Sequence, residues 1–279
     1  MITRQSQRIL LGDGVAQPAD LTLELNDFRG QTADVSLTTT EYLYIGSELP
    51  FAFRYFDLST PSTATVNFTI QYWSGSEWQN AVDILDETNG WQTPGYISWK
   101  TDRDFQTWSC EDESSDIPDL VGTNIYELYW LRISVDADLD AGTLMNTINF
   151  KFSNDDELYG RYPDLNNSAI KMNYEAGKTD WDEQHFIAGE VIVRDITRKN
   201  LTWSGNSIID FEKFAEAGQH KVAEIVYGAM GGEGYEDNRK RAREYYQIAM
   251  NQGYNRLDLN RNANLDKCEK QIRSTNLQR

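Results

Sequence analysis

The stretch TVNFTIQYWSGSEWQNAV, Thr65 to Val82, decides how the first half of the chain is read. Val66, Phe68, Ile70 and Tyr72 alternate with Asn67, Thr69, Gln71 and Trp73, the period of a strand with one buried face. Ser74, Gly75 and Ser76 are turn residues, and Trp78 opens the return strand. A two-residue turn at Gly75–Ser76, or a four-residue one from Ser74 to Glu77, sets Trp73 opposite Trp78. Both indoles then fall on the polar face, beside Thr69 and Gln71. Two large rings there suggest a contact: with a neighbouring copy, with another protein, or with acidic loops of the same domain.

Outward from this hairpin the same period recurs. EYLYIGSELPFAFRYFDL precedes it, with Phe51, Phe53 and Tyr55 alternating with Ala52, Arg54 and Phe56. GYISW (Gly95–Trp99), IYELYWLRISV (Ile125–Val135) and NTINFKF (Asn146–Phe152) follow, and in the last Ile148, Phe150 and Phe152 share a face. STPST, ETNG, TPG and DLDAG supply turns between them. Short alternating strands with such spacers predict an antiparallel β-sandwich over residues 1–160, preceded by a short N-terminal arm.

Past Tyr159 the period changes. YGRYPDLNNS reads as the start of a linker over residues 161–178. Residues 179–279 then read as a helical bundle with a C-terminal tail. Thr179 or Asp180 caps a helix running to about Asn200. SIID (Ser207–Asp210) has the form of a capping box before a second helix with a stripe at Ile208, Phe211, Ala215, Gly218, Val222 and Ile225. GAMGGEG (Gly228–Gly234) ends it. A third helix spans about Tyr235 to Gln252, and a short fourth covers Leu265–Arg273. The fold class expected is α+β, sandwich first and bundle second.

Charge divides along the same line. The 279 residues carry 26 Lys+Arg and 44 Asp+Glu, a formal charge of -18. Residues 1–165 hold 9 basic and 27 acidic side chains; residues 166–279 hold 17 of each. The acidic half would repel nucleic-acid phosphates rather than grip them. Mean hydropathy is -0.62, and no apolar run approaches a bilayer span, so no membrane partner is expected. MITRQSQRILLGDGV shows no signal-cleavage pattern. Cys110 and Cys268 lie far apart, and reduced thiols are the default.

The linear motifs of catalysis are missing: no G-x-S-x-G, no Walker loop, no C-x-x-C. The two histidines, His185 and His220, read as packed or surface helix residues. Cys110 sits among acids, which disfavours a thiolate. An enzyme is not expected, although a glycosidase acting through two carboxylates would leave no linear motif. One spacing is specific. In LDLNRNANLDKCEK, Asp258, Asn260, Asn262, Asn264, Asp266 and Glu269 fall at positions 1, 3, 5, 7, 9 and 12 of an EF-hand loop. Calcium is the ion such a loop would take, although no cofactor is required. Ala263 stands where the sharp turn normally needs Gly. The plainer reading is a helix-loop-helix turn whose Asn and Asp side chains bond backbone amides. A second feature is NRKRAREYY (Asn238–Tyr246), which crowds Arg239, Lys240, Arg241 and Arg243 onto one helix. It reads either as a solvated face or as a contact to DNA or to an acidic subunit, including another copy of this chain.

TDWDEQHF, SIIDFEKFAEAGQHKVAEI, YEDNRKRAREYYQIAM and LDLNRNANLD together resemble head-to-tail adaptor (connector) proteins of tailed bacteriophages. EYLYIGSELPF, YFDLST, YWSGSEWQNAVDILDETNGW, GYISW and LYWLRISV resemble phage structural proteins. The resemblance touches most of the chain, but the added sandwich departs from the smallest adaptors. It implies a structural virion protein at the neck, assembled in the host cytoplasm as a ring, twelve-fold by the resemblance. The implied partners are other copies of itself, the portal protein, tail or neck proteins, and DNA passing through the channel without sequence recognition. Trp73, Trp78, Arg239, Lys240, Arg241 and Arg243 are then the candidate interface residues.

Two other readings compete. A carbohydrate-binding module or phage adhesin would stack sugars on the YWSGSEW rings, but leaves the helices unexplained. A dockerin-like or EF-hand calcium module would centre on Asp258–Glu269.

Overall fold

The alternation around Trp73 folds as read, inside a larger sheet than the hairpin alone implies. The computed structural model describes residues 7–100, 109, 116–123, 127–199, 204–254 and 257. Over these residues the chain forms two compact units that divide between Asn149 and Phe150.

The first unit is built from antiparallel strands. They are β1 (Gln7–Gly12), β2 (Ala19–Asp20), β3 (Ala33–Asp34), β4 (Tyr42–Ser47), β5 (Phe53–Thr60), β6 (Phe68–Trp73), β7 (Trp78–Asn80), β8 (Val82–Asp86), β9 (Gly95–Lys100), β10 (Tyr129–Val135) and β11 (Leu144–Asn149), with one helical turn, α1 (Thr22–Leu25). One sheet has the order β2-β1-β4-β10-β6-β7 and the other β3-β11-β5-β9-β8. Ile9, Leu43, Ile45, Ile70, Tyr72, Leu131 and Ile133 from the first sheet share a core with Phe56, Leu58, Ile97, Trp99, Met145 and Ile148 from the second. Each such fully buried side chain contributes about 1.5–3 kcal/mol of transfer free energy.

The N-terminal arm is a correction. Gln7–Gly12 is a full strand, paired with β4 from Gln7↔Ser47 to Gly12↔Tyr42. Ile9 is fully buried, and the Gln7 side chain bridges elements far apart in sequence. Its amide donates to Asn26 Oδ1 (2.9 Å) and to the Ile148 carbonyl (3.0 Å). Its oxygen accepts from Arg54 Nε (2.8 Å). Arg54 is buried, its guanidinium 4.0 Å over the Phe51 ring, and burial pushes its pKa down to about 9.

The second unit begins earlier than the period change suggested. Phe150 and Phe152 continue the alternation of β11, yet both leave the sheet; Phe152 packs on Phe214 at 5.8 Å in the helical unit. The segment read as a linker is structured. α2 (Asp155–Arg161) opens with a capping box, Asn154 Oδ1 accepting from the Glu157 amide at 3.0 Å. A 3-10 turn (Pro163–Asn166) and α3 (Ser168–Tyr174) follow. Leu158, Leu165 and Trp181 are fully buried with Val222, Ala223, Val226 and Ala242, so this segment is part of the helical core.

The long helices are α4 (Asp182–Lys199), α5 (Ala215–Met230) and α6 (Glu233–Gly253). The cap position of α4 is Trp181, whose carbonyl accepts from the His185 amide at 2.9 Å, one residue beyond the nearer of the expected caps, Thr179 and Asp180; the Asp180 carboxylate accepts from the Asp182 amide at 3.3 Å. The capping box expected at SIID is not there. Ser207 instead closes a box with Ser204 around a single 3-10 turn, and α5 starts at Ala215 with no side-chain cap. Gly231 and Gly232, both at positive φ, turn the chain between α5 and α6. Tyr246 on α6 donates its hydroxyl to Asp195 on α4 at 2.7 Å. No helix among the described residues is long and apolar enough to cross a membrane.

Candidate interaction surfaces

Trp73 and Trp78 pair across the hairpin, as the spacing predicts, with the Ser74 amide donating to the Glu77 carbonyl at 3.0 Å. They also point to the outer face of the sheet, but that face is not bare. Leu10, Tyr44, Trp73, Trp130, Ile117, Leu120 and Leu128 form a second buried cluster there, with Tyr42 and Trp78 packed against it. Trp73 is only 3% exposed. Trp78 Nε1 donates to Asp119 Oδ2 at 2.9 Å. Arg132 also pairs with that oxygen, donates from Nε to Gln71 at 2.8 Å, and lies 4.6 Å over the Trp78 ring. Gly46 lets the Trp130 ring cross β4, since a Cβ there would stand 2.8 Å from it. Of the three contacts foreseen for the Trp pair, the structure holds the third, a loop of the same domain. Of the two rings of the expected stacking platform, Trp73 has no face to offer and Trp78 is half-buried.

Lys240, Arg241 and Arg243 of α6 are exposed, Arg239 is half-buried, and the set is partly neutralised. Arg239 Nη2 donates to Glu236 at 3.0 Å, and Lys240 Nζ is 4.0 Å from the same carboxylate. Arg243 Nε is 3.7 Å from Glu224 Oε1. Arg241 makes no hydrogen bond or ion pair among the described residues.

Both histidines are buried. His185 Nε2 donates to Asp155 Oδ1 (3.2 Å), so Nδ1 accepts from the Ser153 hydroxyl (2.8 Å). The Ser-His-Asp order has the look of a nucleophile relay, but Ser153 is 3% exposed and faces the interior. Asp155 also accepts from Tyr159 Oη and the Trp181 amide. Burial, above all, pushes the His185 pKa down.

His220 sits at a cavity that linear reading did not find. Its Nδ1 accepts from Tyr162 Oη at 2.7 Å, and its Nε2 lies 3.5 Å from Glu216 Oε1. Burial, then the charge of Arg161, lowers the His220 pKa. Burial pushes the Tyr162 phenol up to about 12. The cavity has a volume of about 340 Å³. Arg161, Tyr162 and Asp164 reach it from the former linker, His220 and Tyr227 from α5, and Asn238, Arg241 and Tyr245 from α6. The last three stand at i, i+3 and i+7, one helix face, and that spacing was legible beforehand.

The loop Asp258, Asn260, Asn262, Asn264, Asp266 and Glu269 lies outside the described residues, as do Cys110, Cys268 and the expected fourth helix. Among the described residues no group of three or more His, Cys, Asp or Glu side chains could hold a metal ion. No family model matches this chain, and no curated protein matches it in sequence.

Proposed function

We propose that this chain is an architectural protein that assembles with copies of itself as a ring, in the manner of a head-to-tail adaptor below a portal. The observation that carries this reading is the partition of charge. Residues 1–149 hold 23 acidic and 7 basic side chains, while α6 of the helical unit presents Arg239, Lys240, Arg241 and Arg243. A net-acidic half and a cluster of basic side chains on one chain favour head-to-tail contacts between copies, and such contacts close into rings when the rotation allows. An acidic layer also suits a DNA conduit, because it denies the phosphates a place to bind.

The test is the mass of the full chain by light scattering, alone and with a portal protein, over a range of salt. The expected result is concentration-dependent assembly that weakens as salt screens the charges. A monomer at every concentration, with portal present or absent, would overturn the reading.

A further inference from the structure

We propose that the cavity beside α6 is a carboxylate pocket, filled by an aspartate or glutamate side chain from the β-unit of a second copy. The proposal rests on the assembly reading above and adds a specific anchor to it.

The argument is a balance of partners. Most polar groups that line the cavity are already engaged. Arg161 donates from Nε to Gln219 at 2.9 Å and from Nη1 to Glu216 at 2.9 Å. Asp164 receives the Tyr227 hydroxyl, at 3.0 and 2.8 Å from its two oxygens. The Tyr162 hydroxyl is given to His220. Three groups are left without a hydrogen bond among the described residues, the Arg241 guanidinium, the Asn238 carboxamide and the Tyr245 hydroxyl. Asn238 and Arg241 lie one turn apart on the same face of α6, with Tyr245 a further turn on.

What is left over defines the ligand. A planar, forked cation with an adjacent amide donor complements a planar anion with two oxygens, which is a carboxylate. A dianion fits less well. Among the described residues Arg241 is the one cation of the lining with no counter-ion, and the Asp164 carboxylate lines the same space. Tyr162, Tyr227 and Tyr245 supply walls of low polarity, which strengthen a charged pair formed between them. The volume suits a side-chain-sized guest. The acid comes from the half of the chain in which acidic side chains outnumber basic ones by 23 to 7.

The experiment compares self-association of the full-length wild type with Arg241→Gln, Arg241→Lys and Lys213→Gln, by light scattering at one ionic strength. Arg241 is exposed and makes no hydrogen bond or ion pair among the described residues, so circular dichroism and the unfolding midpoint should stay those of wild type. Arg241→Gln should weaken association by about tenfold or more, the cost of leaving a buried carboxylate unpaired. Arg241→Lys should recover part of the loss. Lys213→Gln, an equal loss of charge at an exposed lysine of the helical unit outside the cavity and off α6, should change association by about threefold at most. Millimolar propionate, a monocarboxylate of side-chain size, should compete, and inorganic phosphate at matched ionic strength should not. Wild-type association by Arg241→Gln would overturn the pocket and leave the assembly standing. Equal losses in Arg241→Gln and Lys213→Gln would overturn it in favour of diffuse attraction. Competition by phosphate equal to that by propionate would overturn the carboxylate assignment. A wild type that never assembles would remove both the assembly and the pocket.

Discussion

Trp73 and Trp78 meet across the β6–β7 hairpin with ring centroids 5.4 Å apart and planes inclined at 65°, an edge-to-face pair. The geometry suits the quadrupoles of the two indoles. Only one of them is sealed, since Trp73 belongs to the second buried cluster and Trp78 packs at its rim. Trp73→Ala should therefore cost about 3–5 kcal/mol of unfolding free energy, and Trp78→Ala clearly less. Urea unfolding of the two variants measures this. Equal midpoints for wild type and Trp73→Ala would contradict a second core.

Asp119 holds that cluster shut through one oxygen, which receives both the Trp78 indole N–H and the Arg132 guanidinium. Removing it strands two donors at once. Asp119→Ala should destabilise by about 1–3 kcal/mol, and in a double-mutant cycle with Trp78→Phe the two losses should not add. Simple additivity would mean the indole and the carboxylate act independently.

Gln7 stands at a junction of β1, α1, β5 and β11 through Asn26, Arg54 and Ile148. Gln7→Leu keeps the bulk but leaves the Arg54 Nε–H and the Ile148 carbonyl short of a partner. A loss of about 2–3 kcal/mol is expected, since hydrogen bonds to a buried charged group are the strong ones. Thermal unfolding reads it out. A variant as stable as wild type would return the N-terminal segment to the status of an arm.

His185 makes stability depend on pH. Burial lowers its folded pKa below the reference value of 6.5, so the unfolded chain binds the proton more readily. Its contribution is complete above pH 6.5 and is lost as pH falls from 6.5 towards the folded pKa. His220, also lowered by burial, acts in the same direction. Urea midpoints between pH 7.5 and 5 should fall, and His185→Gln should flatten part of the slope. A midpoint that rises on acidification through this window would reverse the assignment.

Tyr246 joins α6 to α4 through its hydroxyl on Asp195 at 2.7 Å. Tyr246→Phe removes that bond and leaves a partly buried carboxylate without its donor. A cost of about 1–2 kcal/mol is expected from denaturant unfolding. No loss would mean that water replaces the phenol at no cost.

Local periodicity settled a good part of this molecule. Val66 to Tyr72 alternate because a strand puts successive side chains on opposite faces, and the hairpin register follows from the turn. The α4, α5 and α6 stripes follow from 3.6 residues per turn, and Gly231–Gly232 mark the break between two of them. None of that depends on distant residues. Whether the outer face of a strand is bare does depend on them. Trp73 is covered by Ile117 and Leu120, more than forty residues later, and alternation is silent about such a lid. Gln7–Gly12 is a strand because β4 offers it partners, not because its own pattern demands one. Phe150 and Phe152 keep the strand period but serve the helical core, since a period names a face and not the body that covers it. The cavity draws Arg161 and Tyr162 from a segment with linker composition to meet Asn238, Arg241 and Tyr245 on α6. Side chains some eighty residues apart become neighbours only when α2, α5 and α6 pack, and that packing is a property of the whole helical core rather than of any stretch within it.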